Sequence, residues 1–190
     1  SAGSGATVAA EVVLPGIIRD IEIVSSGASI YALVAADDAG VAVVDITTPD
    51  APVLLHTTPV DYFQDGLTWT EGGGEILTDN EIAGTKATIT AIETDGTDVW
   101  IANLNYGIHR TSLANVLAQT MEVNGTLFMD AEVYTLQYAG EQPWGGPRDL
   151  TLKNGRLFAA QGFLGMAVYD PVSLGRIAGY HLYTDASVVD

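Results

Sequence analysis

The sequence has no cysteine, seven basic residues and three histidines among its 190 residues. Without cysteine, disulfides, thiolate catalysis and cysteine-ligated zinc or iron–sulfur sites are excluded. The chain also lacks the run of about eighteen apolar residues that a transmembrane helix needs, so we expect no membrane insertion. Neither a phosphate-binding loop nor a Gly-x-Ser-x-Gly nucleophile elbow occurs, and we expect no enzymatic activity from these motif classes.

Acidic residues dominate the charge. There are 24 acidic side chains and 7 basic ones, giving a formal net charge of −17. A surface of that sign repels phosphate backbones, so nucleic acid is not an expected partner. Hydrophobic residues make up 47% of the chain and charged residues only 16%, a balance that predicts a folded protein with a substantial core.

Alternating apolar and polar residues occur along most of the chain, as in IRDIEIV, ATITAIE and RDLTLK. This period-2 pattern predicts β-strands, and helical spacing is found only in SLANVLAQTM. Turn signals such as SSGAS, DDAG, TDGTD and KNG separate the strand segments at short intervals. The sequence therefore predicts an all-β fold with at most one helical turn, near residues 113–117. A sandwich, a barrel and a propeller all fit this pattern.

An internal repeat distinguishes between these folds. The segment from Arg19 to Ile46 corresponds element by element to the segment from Arg148 to Pro171. The paired positions are Arg19-Asp20 with Arg148-Asp149, Gly27 with Gly155, Tyr31 with Phe158, Gly40 with Gly165, and Asp45 with Asp170. A third copy, ATITAIETDGTDVWIANLNYGIHRTSL, lies between them, with Gly96 and Gly107 at its turns and Trp100 at the aromatic position.

Each copy predicts four antiparallel strands in about forty residues, the size of one propeller blade. We therefore expect a single β-propeller domain or fragment over residues 1–190, with repeats at about 17–60, 86–125 and 147–184 and irregular insertions at 61–85 and 126–146. Only three repeats are recognisable, so either four irregular blades close within the chain or the ring is incomplete. The leading segment ATVAAEVVLPG would supply the outer strand of a further blade.

The third strands VAVVD and MAVYD, together with the first strands RDIEI and RDLTL, resemble LVIVD repeats, a bacterial and archaeal β-propeller repeat. The segment ITTPDAPVLLHT resembles the turn that follows in that family. The resemblance implies a propeller that is secreted or located on the cell surface. It brings no catalytic motif.

Several acidic and basic residues are candidates for function. We interpret Arg19-Asp20 and Arg148-Asp149 as structural ion pairs between neighbouring blades, since buried charges are normally paired. Aspartates in turns could bind calcium through carboxylate and carbonyl oxygens, although turn formation by the aspartate side chain is the simpler explanation. The calcium candidates are Asp37, Asp38, Asp95 and Asp98. Calcium is the one cofactor that these residues suggest.

Four aromatic residues lie in segments that depart from the repeat and are the candidates for exposed recognition. They are Tyr62, Phe63, Trp69 and Trp144. The leading hypothesis is a non-catalytic module that binds a protein partner or assembles with itself into an oligomer or filament. The alternatives are a carbohydrate-binding module and a hydrolase with an acidic, metal-assisted site at the propeller channel.

Overall fold

A computed structural model describes residues 8–58, 88–104, 107–119, 146–162 and 165–180, and the backbone of residues 69–70, 76–77 and 126–128. The prediction of an all-β fold is confirmed. The strands are β1 Asp20–Ser26, β2 Ser29–Ala35, β3 Val41–Asp45, β4 Val53–Thr58, β5 Trp69–Thr70, β6 Ile76–Leu77, β7 Ile89–Thr94, β8 Asp98–Asn103, β9 Gly107–Ser112, β10 Thr126–Phe128, β11 Asp149–Lys153, β12 Arg156–Ala160, β13 Met166–Tyr169 and β14 Arg176–Tyr180. The one described helix, α1, spans Leu113–Leu117, where the sequence predicts a helical turn.

Three four-stranded antiparallel sheets contain most of these strands. In chain order they are β1–β4, β7–β10 and β11–β14, called here the first, second and third sheets. Strands follow one another in each sheet in sequence order, and β5 and β6 form a separate hairpin. None of the three sheets closes on itself among the described strands. A meander of this kind needs only short turns, in keeping with the turn spacing in the sequence.

Glycines with positive φ occupy the repeated turn positions. The glycine before the third strand of each sheet has φ of 92° at Gly40, 105° at Gly107 and 85° at Gly165. The first hairpin turns likewise contain Gly27, Gly96 and Gly155, with φ of 61°, 88° and 67°. These conformations favour glycine because it has no Cβ. The backbone thus repeats where the sequence does.

The end of the third strand is also alike in the three sheets. Asp45, Ser112 and Asp170 each lie five residues after the turn glycine. Asp45 Oδ1 accepts from Thr47 N at 2.8 Å, Ser112 Oγ accepts from Asn115 N at 3.1 Å, and Asp170 Oδ1 accepts from Ser173 N at 2.9 Å. In the second sheet this oxygen caps α1. Serine therefore does at this position what aspartate does in the other sheets.

Two core clusters lie between the sheets. One contains Leu33 and Val43 of the first sheet with Ile92 and Ile101 of the second. The other contains Trp100 and Ile108 of the second sheet with residues such as Leu157 of the third. The second sheet is therefore covered on both faces, which requires apolar side chains on both sides of its strands.

The register of the strands corrects one predicted correspondence. Val43 and Val168, each three residues after the turn glycine, pair with Leu33 and Phe158. The same count in the second sheet pairs Arg110 with Trp100. Leu33, and not Tyr31, is therefore the counterpart of Trp100 and Phe158, and matching Tyr31 to them is wrong. The hairpin of β1 and β2 is longer than that of β11 and β12, so Tyr31 lies two positions nearer the hairpin turn than Leu33, the counterpart of Phe158.

The segment of residues 8–15, called here the N-terminal strap, lies against the first sheet. Val12 and Leu14 pack on a cluster of Ala32, Val34, Ala42 and Val44. Val13 points outward and is 91% exposed. The predicted outer strand is extended and alternates inward and outward side chains, but it forms no strand with any residue that the structure describes. No helix among the described residues is long and apolar enough to cross a membrane.

Candidate functional site

The first strands of the three sheets, β1, β7 and β11, lie next to one another. Their free edges carry backbone N–H groups that need acceptors. Asp20 in β1 accepts two such bonds. Its Oδ1 accepts from Ile21 N at 2.8 Å, and its Oδ2 accepts from Ile92 N of the second sheet at 2.9 Å. One carboxylate therefore caps its own strand and joins two sheets.

Glu93 does the same between the second and third sheets. Its Oε1 accepts from Thr94 N at 3.1 Å and its Oε2 from Leu152 N at 2.9 Å. Hydrogen bonds from a backbone N–H to a carboxylate are stronger than those between neutral groups. Acidic side chains on the first strands thus connect all three sheets.

Asp149 in β11 repeats the local half of this arrangement. It is paired with Ala160 as Asp20 is paired with Ala35. Its Oδ1 accepts from Leu150 N at 2.9 Å, as Asp20 accepts from Ile21. Among the described residues, none in another sheet donates a hydrogen bond to Asp149. The Asp149 side chain is exposed.

Glu22 lies beside this row of carboxylates. Burial, followed by the charges of Glu93 and Asp20, raises the pKa of its carboxyl above the ordinary value, and a hydrogen bond from Ile23 N opposes the shift. Three carboxylates are therefore close enough to affect one another. Even so, the described part of the chain contains no group of three His, Cys, Asp or Glu side chains arranged to hold a metal ion.

The predicted Arg–Asp pairs have different partners in the structure. Arg19 Nε donates to Asp37 Oδ2 at 2.8 Å, within the first sheet and its loop, while Asp20 contacts the second sheet. The residue corresponding to Asp37, three positions before the turn glycine, is Gly162 in the third sheet. The expectation of a repeated ion pair between Arg19 and Asp20 and between Arg148 and Asp149 is therefore wrong; the aspartate alone is the repeated element.

The calcium candidates are separated into two turns with different partners. Asp37, in the loop before β3, is held by Arg19, and its carbonyl accepts from Ile89 N at 3.1 Å. Asp95 Oδ1 accepts from Thr97 N and Asp98 N, both at 2.8 Å. Arg110 Nε donates to Asp98 Oδ2 at 3.1 Å. Asp38 shares the loop of Asp37. Guanidinium groups thus already satisfy two of the four carboxylates.

The aromatic recognition candidates lie outside the described side chains. This holds for Tyr62, Phe63 and Trp144, and for Trp69, of which only the backbone is described. The structure therefore places none of the four in a site.

Two residues that connect sheets were not predicted for that role. Trp100 Nε1 donates to Pro171 O at 2.9 Å, and Arg110 Nη1 donates to Val172 O at 3.0 Å, both from the second sheet to the third. Trp100 is 2% exposed in the core between the second and third sheets, and its indole N–H also contacts the turn after Asp170.

Comparison with known proteins gives a likeness in fold only. No protein-family profile and no curated protein matches the chain. Among solved structures it is similar to the computationally designed Ika4 protein, with a TM-score of 0.50 and 12% identity over 93% of this chain and 79% of that one. The computationally designed Ika8 protein gives a TM-score of 0.45 at 13% identity, covering 86% of this chain and 36% of that one. The second score is too low to bear on the fold.

Proposed function

We propose that this protein is a non-catalytic binding and assembly module, built as a β-propeller of LVIVD type and located outside the cell or on its surface. Three features support the propeller. The sheets are consecutive four-stranded meanders, the faces between them form apolar cores, and their first strands adjoin. Propeller blades share this arrangement, with the first strand of each blade nearest the axis. The location is proposed on the LVIVD resemblance.

A structural role for the carboxylates supports the non-catalytic part of the proposal. Asp20 and Glu93 bind backbone N–H groups of neighbouring sheets, and Asp37 and Asp98 bind arginines. Carboxylates used in acid–base or metal-assisted hydrolysis need an open coordination or proton-transfer position. These four are instead committed to contacts that hold the fold together.

The observation that carries the assembly function is the exposure of aliphatic side chains on strands. In β1, Ile21 and Ile23 are 51% and 56% exposed. Met166 in β13 is 43% exposed. These positions alternate with half-buried or buried ones, so they belong to sheet faces and not to loops. Apolar sheet faces that remain open mark interaction surfaces.

Light scattering tests this function by measuring absolute mass in solution at low and high salt, with and without calcium. We expect a species that is a multiple of the 19.9 kDa chain, independent of calcium. A monomer under every condition would exclude self-assembly. The binding function would then depend on another protein, detectable as a stable complex in a pull-down from extracellular material. Hydrolysis of a glycan or phosphate-ester panel would contradict the non-catalytic proposal.

A further inference from the structure

The third sheet has one face that no described residue covers. Its other face, with Leu150, Leu157 and Ala159, is buried against the second sheet. The uncovered face, called here the forward face, consists of residues aligned by cross-strand pairing. Beyond the pair Lys153 and Arg156 at the hairpin end, they are Asp149, Thr151, Phe158, Ala160, Met166 and Val168.

The forward face has the same chemistry as faces that are buried elsewhere in the chain. The residue after the turn glycine is Val41, Ile108 or Met166, and its exposure is 0%, 1% and 43% in the three sheets. Its partner on the second strand is Ala35, Ala102 or Ala160, of which the first two are fully buried and the third is exposed. The next sheet in the chain covers the first two faces. Among the residues that the structure describes, the forward face thus repeats an interface without a partner sheet.

Asp149 adds a polar feature to this repeated interface. In the first sheet, Asp20 reaches the covering sheet through Oδ2. Asp149 makes the local bond through Oδ1, and no described residue of another sheet donates to its Oδ2, which is thus placed to accept from an N–H or O–H donor of an incoming strand. A carboxylate that finds such a donor in an apolar interface forms a charge-assisted hydrogen bond.

A second open face lies at the other end of the stack. The rear face of the first sheet, defined as Ile21, Ile23 and the outward side of the N-terminal strap, is also largely apolar, with Glu11 as an exposed charged residue of the strap. Val13 of the strap is 91% exposed, and Ile21 and Ile23 are about half exposed. The corresponding rear face of the second sheet, with Ile92 and Ile101, is buried in the first core. In this fold, therefore, the forward face of one sheet is covered by the rear face of the next.

We propose that the forward face of the third sheet binds the rear face of the first sheet in a second copy of this chain. The inference rests on the proposed assembly function and names the surfaces that perform it. Because the two surfaces differ, the contact is heterologous and joins copies head to tail, which produces a ring or a filament. The apolar part of the forward face is bordered by Asp149 at one end and by the cross-strand pair Lys153 and Arg156 at the hairpin end, so the strong negative charge of the whole chain is not concentrated in the contact.

Two variants that each block one face test the proposal. Met166→Glu blocks the forward face and Ile23→Glu blocks the rear face; both positions are exposed, so both variants should fold. Each variant alone should have the mass of one chain, because every contact needs one face of each kind. An equimolar mixture should form a dimer and stop there, since only one intact pair of faces remains. Val53→Glu, at a 54% exposed position outside both faces, is the control and should assemble like the wild-type chain.

The outcomes separate this inference from the proposed function. If the wild type assembles and both blocked variants assemble equally well, assembly stands and the assigned faces are wrong. If the mixture stays monomeric, the head-to-tail contact is wrong. A wild type that is monomeric at all concentrations overturns the inference outright.

Thiol labelling gives a second readout that does not depend on mass. The chain has no cysteine, so Ala160→Cys introduces a single thiol on the forward face. We expect labelling to slow as protein concentration rises. Slow labelling at every concentration would show that the chain covers its own forward face. Fast labelling at every concentration would show that nothing covers it. Either result overturns the proposal.

Discussion

Single carboxylates explain part of the acidic composition of this chain. Asp20 and Glu93 accept hydrogen bonds from strand edges of neighbouring sheets, a task that only a side-chain acceptor can perform where no further strand pairs. Asp45 accepts from the side chain and the backbone N–H of Thr47, and Asp170 accepts from the backbone N–H groups of Ser173 and Val172; these bonds hold the pKa of both carboxyls below the ordinary value. Acidic residues are thus used as backbone acceptors as well as for solubility.

Asp20 and Asp149 form a matched pair for testing this role. Asp20→Ala removes the acceptor of two N–H groups, one of them on another sheet, and should lower the free energy of unfolding by about 1–3 kcal/mol. Asp149→Ala removes one acceptor at an exposed position and should cost less than about 1 kcal/mol. Urea unfolding of the monomer, at a protein concentration too low for assembly, measures both. Equal losses would show that the bond to Ile92 does not stabilise the contact between sheets.

His109 makes the stability of the protein dependent on pH. Burial lowers the pKa of this imidazole from 6.5 to about 4, so between these values the unfolded chain binds a proton that the folded chain does not. Stability is therefore complete above about pH 6.5 and falls as pH decreases towards 4. The loss attributable to His109 should approach about 3 kcal/mol. The midpoint of urea unfolding measured from pH 7 to pH 4 gives this slope.

The control for His109 is His109→Leu, which keeps an apolar environment and removes the titrating group. The other histidines and all carboxylates remain in both proteins, so the difference in slope isolates His109. We expect a smaller decrease in stability for the variant between pH 6.5 and 4. Identical slopes would show that His109 titrates normally in the folded protein.

At the scale of the element, the position at the end of the third strand is serine in one sheet and aspartate in the other two, and exchanging the two residues tests whether they are equivalent. Ser112 caps α1, and Asp45 and Asp170 hold the corresponding positions in the other sheets. Ser112→Ala should lower the free energy of unfolding by about 1 kcal/mol, whereas Ser112→Asp should stay within about 0.5 kcal/mol of the wild type. Thermal unfolding followed by circular dichroism distinguishes the two. A loss with aspartate as large as that with alanine would contradict the equivalence of the three positions.

Two glycines should respond differently to alanine. Gly155 has φ of 67° and open space around the position of a Cβ, so Gly155→Ala has only the conformational cost of about 1–2 kcal/mol. At Gly146, a Cβ would lie 1.7 Å from the carbonyl oxygen of Leu104. Gly146→Ala must therefore move the backbone between the second and third sheets and should cost more. Comparable unfolding midpoints for the two variants would contradict this ranking.

The sequence predicted those elements whose signals are local. Alternating strands, glycine turns and the helix at Leu113–Leu117 each depend on residues close together in the chain, and the structure has them at those places. Side-chain contacts between residues that lie far apart in the chain were not predicted, because no local pattern indicates them. Arg19 was assigned to its neighbour Asp20 but binds Asp37, because the loop before β3 returns the chain to the start of β1. Tyr31 was matched to the wrong residues because the hairpin of β1 and β2 is longer than that of β11 and β12, although both have a glycine in the turn.

At the scale of the whole molecule, the repeat accounts for the stability of the stack and is the basis of the proposed assembly. Each sheet carries apolar side chains on both faces, as a sheet that lies between two others does. The faces between consecutive sheets are filled from within the chain. The same repetition leaves the forward face of the third sheet and the rear face of the first with side chains suited to burial. The architecture that builds the core therefore also supplies the two surfaces for a second copy.

Salt should strengthen this assembly, because the net charge of −17 makes copies repel one another over long distances. The Debye length shortens from about 10 Å at 0.1 M to about 3 Å at 1 M salt, which removes the repulsion and leaves the apolar contact in place. The mean mass measured by light scattering should thus rise across this range for the wild type and stay at one chain for Met166→Glu. A mass that falls with added salt would show instead that ion pairs hold the copies together, because screening weakens attraction between opposite charges and not the apolar contact.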